Sequence, residues 1–405
     1  MSDDLYDVII VGGGPVGLAQ ALALSRFQRG MRIALVDRRV FSVPNDARAF
    51  ALSAGVRRVL EALGVWAAVA AEAQPIRAMK ITDSGRGDMA RPVFLTFEGD
   101  VAPGEPYAHM APNRVLTRAL LAALGPAVVQ IAPVEMVSYK AEAALARLAL
   151  KDGRVLSAPL IVAADGAMSG LRQMAGIGVV GHDYRQAGIV TTIAHALPHE
   201  GVAYEHFRPA GPFASLPLGG NRSSLVWTET RAEAARLKGL PEPEVAGLIE
   251  AAMGARLGRV SLEEPVQSFP LKLQIARAFV APRLALIGDA AHVIHPLAGQ
   301  GLNLGLKDVA ALSETVIAAL RLGEDFGADS VLGRYEAWRR LDTALMAAVT
   351  DGLNRLFSND VAPVRALRDM GLGLVDRLAP VKAALIGRAA GLEQAGPRLL
   401  RGLPL

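Results

Sequence analysis

The chain opens with an apolar run, Tyr6-Asp7-Val8-Ile9-Ile10-Val11, whose β-branched residues suit a strand buried on both faces. It passes into Gly12-x-Gly14-x-x-Gly17, then a helix-compatible stretch from Leu18 to Gln28, then a second apolar run, Arg32-Ile33-Ala34-Leu35-Val36, ending at Asp37. Two more short strands are expected, Leu160–Ala164 running into Asp165-Gly166, and Leu284–Ile287 running into Gly288-Asp289. Residues 179–274 follow a different pattern: runs such as Gly188–Ile193 and Ser223–Thr228, separated by glycine and proline, predict antiparallel sheet. One helix is expected within them, around Pro243–Gly254, and a long amphipathic helix beyond them, from Leu302 to Arg321.

The first strand, turn, helix and strand make a βαβ unit with an acid 20 residues past the third glycine. Gly12 permits the tight turn, Gly14 lets the backbone approach a pyrophosphate, and Gly17 lets helix pack close on strand. The pyrophosphate would meet the free N–H groups and the positive dipole end of the helix. Asp37, at the tip of the second strand, would accept hydrogen bonds from adenosine ribose hydroxyls. This unit alone does not separate FAD from NAD.

Groups at the carboxyl ends of parallel strands line the ligand crevice, so Asp289 could accept hydrogen bonds from a ribityl chain. The loop that follows, His295-Pro296-Leu297-Ala298-Gly299-Gln300-Gly301-Leu302-Asn303-Leu304-Gly305, feeds the long helix. Its unpaired N–H groups would suit the negative charge of a reduced flavin ring. His292 and His295 have metal-ligand spacing but no carboxylate or cysteine partner at that spacing, and they read as a satisfied structural pair.

Composition is that of a folded protein, 52% hydrophobic and 20% charged. The net charge of +4 comes from 43 basic residues interspersed with 39 acidic ones, without a basic run of five, so a nucleic-acid surface is not expected. The absence of cysteine excludes disulfides and thiolate chemistry and fits a reducing compartment. The acidic start, Ser2-Asp3-Asp4, does not read as a signal peptide. No uncharged apolar run reaches the ~18 residues of a membrane span. The longest candidate, Ala119 to Val137, is broken by Gly125-Pro126 and Pro133. A cytoplasmic location is expected, with peripheral attachment to the inner membrane surface an option.

Together the three glycine- and aspartate-containing segments resemble the class A flavoprotein monooxygenases, the para-hydroxybenzoate hydroxylase fold. The closer resemblance is to the ubiquinone-biosynthesis hydroxylases, and it runs essentially end to end. It is carried by Asp46-Ala47-Arg48-Ala49-Phe50-Ala51-Leu52-Ser53, Gly64-Val65-Trp66, Asn113-Arg114-Val115-Leu116 and Leu216-Pro217-Leu218. Ser224–Thr228, Phe269-Pro270-Leu271, the string from His295 to Asp308, and the tail Leu353–Asp360 extend it. The resemblance implies that Arg48 bridges FAD phosphate and incoming nicotinamide, that Asn113 contacts the flavin side chain, and that Asp165 serves both FAD and NAD(P)H. It implies that Pro296, Gly301, Leu302 and Asn303 border the isoalloxazine. No second Gly-x-Gly-x-x-Gly unit is present for NAD(P)H, which fits transient docking of the nicotinamide.

The fold class expected is α/β: a Rossmann-type FAD-binding domain with an inserted antiparallel-sheet substrate domain and C-terminal helices. The FAD-binding domain would be discontinuous (1–75, 106–178 and 275–345), the substrate sheet would take 76–105 and 179–274, and residues 346–405 would form a helical region. That last region, with Arg365, Arg368, Arg377, Lys382 and Arg388, suits a packed cap, a membrane-surface patch or a partner face. The implied reaction is NAD(P)H-driven, O2-dependent hydroxylation of a polyprenylated phenol through a C4a-hydroperoxyflavin, with delivery from the membrane surface and membership of a ubiquinone-biosynthesis complex both compatible. Two other readings stay open: a flavin-dependent reductase or dehydrogenase on the same fold, and a non-catalytic flavin-binding subunit. Tyr184, Tyr204 and His206 lie in the expected substrate domain, but packing roles are the commoner outcome for each, and the general base stays unassigned, as do regioselectivity, NADH against NADPH, and oligomeric state.

Overall fold

In a computed structural model, residues 4–83, 93–98, 100–357, 391–392 and 396–405 are described. The five basic residues expected on the C-terminal cap, the end of the family-like tail (358–360) and residues 84–92 of the expected substrate sheet lie outside them.

The apolar runs that do not alternate become the centre of a parallel sheet. Every residue of Val8–Val11, Ile33–Val36 and Leu160–Ala163 is buried, as strands covered on both faces require. Among the described residues six strands line up in the order 128–131, 33–36, 8–11, 160–163, 284–286 and 280–281. The first five are parallel and the last is an antiparallel edge. From Val8–Val11 the chain first moves outward on one side, to Ile33–Val36 and Val128–Ile131, and only later returns to the other side, at Leu160–Ala163. The order therefore reverses beside the first strand, and a crevice opens at the carboxyl ends of 8–11 and 160–163.

Helix Pro15–Phe27 begins three residues before Leu18, where apolar periodicity first becomes visible. Pro15 holds the first helical position, where its missing N–H costs nothing. Helix Gln300–Arg321 likewise starts ahead of Leu302, directly after Gly299 with φ 64°. The helix Asp329–Phe357 runs without interruption across residue 345, so residues 346–357 continue an element that packs on Gln300–Arg321.

A second, mainly antiparallel sheet has nine strands among the described residues. Its main path runs 292–293, 267–276, 179–195, 222–230, 213–218, 202–207, 78–83 and 93–98, with 260–262 pairing to 179–195. Strand Val179–His195 is far longer than its apolar run, because its outer residues Val179–Asp183 pair with Lys272–Ala276 although most of them are exposed. A register shift between Asp183 and Ala187, with Arg185 at φ 58°, bends it there. Register then fixes which side chains share a face. Val190, Val226, Ala214 and Glu205 form one cross-strand row. Ile189, Trp227, Phe213 and His206 form the neighbouring row and must point the other way. The apolar members of that second row pack with Leu237, Val245 and Ile249, under helices Arg231–Lys238 and Glu242–Met253.

Candidate active site

Between the crevice of the parallel sheet and the first of those faces lies a cavity of about 770 Å³. Gly12, Gly14, Asp37, Arg48 and Asn113 line it, and so do Asp165, Asp289, Pro296, Gly301 and Leu302. Gly17 and Asn303 do not. A Cβ on Gly17 would lie 1.9 Å from Gly12 O, so Gly17 acts in packing helix on turn, as its spacing predicted. Asn303 is turned away: its Oδ1 accepts from Ser53 N (3.1 Å) and its Nδ2 donates to Ala51 O (2.8 Å). It pins the start of the long helix to strand Ala49–Ser53 instead of facing the cavity.

The two helix starts at the cavity carry no side-chain cap. At Gly14, which caps Pro15–Phe27, an added Cβ would meet nothing within 4 Å, so the space beside it belongs to the cavity. Uncapped N–H groups facing an open space lined by glycine suit a diphosphate at the first helix and an anionic ring edge at the second. The residues present therefore fit FAD. Asp37 is fixed in place, accepting from Gly13 N (2.6 Å) through Oδ2 and from Arg39 N (2.8 Å) through Oδ1. Each carboxylate oxygen keeps a lone pair for a ribose hydroxyl.

On the other flank, Asp46 Oδ2 accepts from Arg48 Nη2 (2.7 Å) and from Asn113 Nδ2 (2.9 Å). Burial works against its ionisation, but the bonds and charge of Arg48, aided by Asn113, hold its carboxyl below the ordinary value. Asp46 so aims two of the predicted residues, although its place in the string Asp46–Ser53 gave no hint of this. Asp165 Oδ2 accepts from the N–H of Gly170 (2.8 Å) and Leu171 (3.2 Å), while its buried Oδ1 has no partner. Burial raises its pKa against those bonds. Arg172 donates to Ala290 O (2.8 Å) and Ala167 O (2.9 Å), tying the Asp165 loop to the Asp289 loop. Asp289 is open to solvent through the cavity, yet protein crowds it on every side, and this enclosure pushes its pKa up.

Behind Asp289 a buried network fixes the loop. Asp308 Oδ2 accepts from Gly288 N (2.9 Å) and lies 2.6 Å from His292 Nε2, while Asp308 Oδ1 accepts from Arg339 Nε (2.7 Å). Burial opposes the Asp308 charge, but His292 and Arg339 hold its pKa below the ordinary value. The two histidines thus part company. His292 is held by Asp308 through Nε2 alone, its Nδ1 being buried without a partner, whereas both ring nitrogens of His295 are buried without one, against the expected satisfied pair, and burial drives the His295 pKa down to about 4. His295 lines the cavity, with Tyr184 edge-on behind it at 5.0 Å. Among the described residues no three His, Cys, Asp or Glu side chains are grouped to hold a metal ion.

Of the three substrate-domain side chains singled out in the sequence, none lines this cavity. Tyr204 and His206 share the far face of the sheet, where His206 Nδ1 lies 2.7 Å from Thr82 Oγ1. Sequence reading missed Glu205, which stands between them and lines the cavity. The available signal was period-2 alternation in Val202–Phe207, which puts Glu205 on the same side as Ala203 and Phe207.

A doubly wound parallel sheet whose switch point opens under an inserted antiparallel sheet, with two uncapped helix starts facing the space between, defines a flavin-dependent monooxygenase. A sequence family described as FAD binding domain matches residues 5–349. The chain is 43% identical to the ubiquinone hydroxylase UbiL of Rhodospirillum rubrum, over 100% of this chain and 94% of that protein. It is 35% identical to the 3-demethoxyubiquinol 3-hydroxylase of Escherichia coli, over 97% of this chain and 100% of that one. The chain therefore belongs to the FAD-binding-domain family and, within it, to the ubiquinone hydroxylases. It is an FAD-dependent aromatic hydroxylase, with O2 and NAD(P)H as its co-substrates. The fold is shared with p-nitrophenol 4-monooxygenase PnpA of Pseudomonas putida, at a TM-score of 0.79 and 20% identity over 97% of this chain and 100% of that one.

Proposed function

We propose that the enzyme hydroxylates the aromatic ring of a polyprenylated phenol in ubiquinone biosynthesis. The observation that carries this reading is the wall opposite the elements that fit FAD: Val190, Leu216, Val226, Phe269 and Leu271 present an apolar surface of the kind that suits an aromatic ring and a prenyl chain. The names of the relatives point to the same substrate class. FAD, when bound and reduced, supplies the oxygen-transfer chemistry. The chain's own residues bind, orient and exclude water. Gly12 and Gly14 with the start of helix Pro15–Phe27 would hold the diphosphate, Gly17 packing that helix from behind, with Asp37 on the adenosine ribose and Asp289 on the ribityl chain. Pro296, Gly301 and Leu302 would border the isoalloxazine, with the helix dipole of Gln300–Arg321 favouring negative charge there and Asn303 bracing that helix start from behind. Arg48, aimed by Asp46, would meet the nicotinamide cofactor, Asn113 the flavin side chain, and Asp165 both.

On this reading residues 1–75, 106–178 and 275–345 serve FAD, and 76–105 with 179–274 roof the substrate. No helix of the described residues is long and apolar enough to cross a membrane. Peripheral docking is supported by Leu341, Leu345 and Val349, exposed at four-residue spacing on one helix; failure to co-sediment with anionic lipid vesicles would count against it.

The deciding experiment is an absorption spectrum followed by an NAD(P)H-oxidation assay with and without a short-chain prenyl phenol. Bound flavin, oxidation stimulated by the phenol and a product heavier by one oxygen atom are expected. Stimulated oxidation without oxygen in the product would replace the hydroxylase with a reductase, and failure to take up FAD would overturn the whole reading.

A further inference from the structure

Period-2 geometry makes the cavity face of the second sheet almost wholly apolar, with one acid on it. The row Val190, Val226, Ala214 and Glu205 runs across four strands, each residue directly opposite the next, and all four line the cavity. Glu205 closes that row. It is 5% exposed, and among the described residues its carboxyl has neither a hydrogen bond nor an ion pair. Its neighbours give it no counter-charge. On strand Phe213–Leu218 the residues facing it are Ala214 and Leu216, on strand Ala78–Asp83 its register partner is Ile81, and the Tyr107 hydroxyl, itself buried, senses its charge. Two residues further along the same face, Phe207 packs with Leu297, in the loop expected to border the flavin ring. On the adjoining row Thr228 also lines the cavity, with its hydroxyl unpartnered.

An uncompensated acid on an apolar wall costs stability unless something enters to bond it. Isolated buried carboxyls without a partner are rare for that reason, and in a cavity they mark a group waiting for a ligand. The ligand must offer a proton donor, because a carboxylate only accepts.

We propose that Glu205 receives the hydroxyl proton of the phenol bound in this cavity. The inference rests on the phenol-hydroxylase reading above and adds the proton acceptor that this reading lacks. The phenol O–H bond breaks, the proton joins a Glu205 oxygen, and the electron pair stays on the phenol oxygen. From there it enters the ring and makes the carbons ortho and para to it more nucleophilic toward the transferred oxygen. Burial pushes Glu205 up to about 7, so near neutral pH the group is poised both to accept a proton and to release it. His295, also on the cavity, is a weak competitor, because burial holds its pKa at about 4. Thr228 is placed to position the ring and has no charge to offer.

The test compares the FAD-loaded wild type, Glu205→Gln and Glu205→Asp, using a short-chain prenyl phenol. Ultraviolet difference spectra report the ionisation of the bound phenol, and product formation is followed across pH. In the wild type the rate should rise with pH through about 7, because only the ionised carboxyl accepts. Glu205→Gln should keep its flavin spectrum and bind the phenol un-ionised, with the rising limb lost and the rate down by roughly 10²–10⁴-fold. Glu205→Asp should restore the limb and part of the rate, which a purely structural role would not do. If Glu205→Gln ionises the bound phenol as the wild type does, or keeps the same pH limb, the assignment is wrong even where hydroxylation stands. If the wild type binds or hydroxylates no phenol, the function reading fails first, and the two failures are told apart by that control.

Discussion

A methyl group on Gly12 would sit 2.1 Å from Ala164 O, at a φ of 117°, and one on Gly17 would sit 1.9 Å from Gly12 O, whereas one on Gly14 would meet nothing within 4 Å beyond its chain neighbours. The three glycines of a single motif are therefore held by different forces. Two are fixed by the chain's own packing and one, on the proposed reading, by the FAD diphosphate. Gly14→Ala should leave the thermal midpoint of the apoprotein nearly unchanged while weakening FAD by at least tenfold in a fluorescence titration. Gly12→Ala and Gly17→Ala should lower the midpoint and lose FAD together, since backbone must shift to admit the new atom. Equal loss of stability in all three would contradict the distinction. Glu205 shows the converse at this scale: as a letter it is an ordinary acid in a β-rich stretch, and only its row partners reveal its chemistry.

At the scale of elements, the site depends on how two long helices clamp one loop. Asp308 belongs to Gln300–Arg321, Arg339 to Asp329–Phe357, and His292 and Gly288 to the loop that carries Asp289. All of these groups are buried, so removing one charge strands its partners. Asp308→Asn should cost about 3–5 kcal/mol in denaturant unfolding and weaken FAD as well, because the loop loses its brace. The sign with pH follows from the lowered Asp308 pKa: its contribution is present above the ordinary carboxylate value and fades as pH falls through the folded one. The wild type's advantage over Asp308→Asn should therefore shrink on acidification, and an advantage constant down to strongly acid pH would show that the charge is not what stabilises. The second of these helices also crosses an expected division of the chain. A domain boundary was expected at residue 345, yet Asp329–Phe357 continues through it, because no glycine or proline interrupts the helix there.

Across the whole molecule, two sheets with separate cores share one cavity. The parallel sheet supplies the strand ends and helix starts suited to FAD, and the antiparallel sheet supplies the apolar wall. Functions carried by different walls should be separable. Val226→Trp, which fills the wall from the second sheet, should leave FAD affinity within a few-fold and abolish phenol-stimulated NAD(P)H oxidation. Parallel losses of both would mean that the walls are not independent. The cavity itself could not be read from the sequence, since Val11 and Val226 meet across it only after hundreds of residues of chain have folded between them.

The amino-acid sequence by itself determined the elements whose signals are local. Buried runs without alternation announced the parallel strands, Gly-x-Gly-x-x-Gly with Asp37 announced the first βαβ unit, and the string from His295 to Gly305 announced the loop that feeds the long helix. These are readable because hydrophobic period, turn stereochemistry and helix-start chemistry act over a few residues. Tertiary structure decided the rest. It turned Asn303 away from the cavity, gave Asp46 the task of aiming Arg48 and Asn113, and left His295 unpartnered while His292 found Asp308. It also chose the face of strand Val202–Phe207 that meets the cavity, putting Glu205 inside and Tyr204 and His206 outside. Alternation along a strand fixes that neighbouring side chains oppose one another, but which side becomes the cavity depends on where a distant sheet packs.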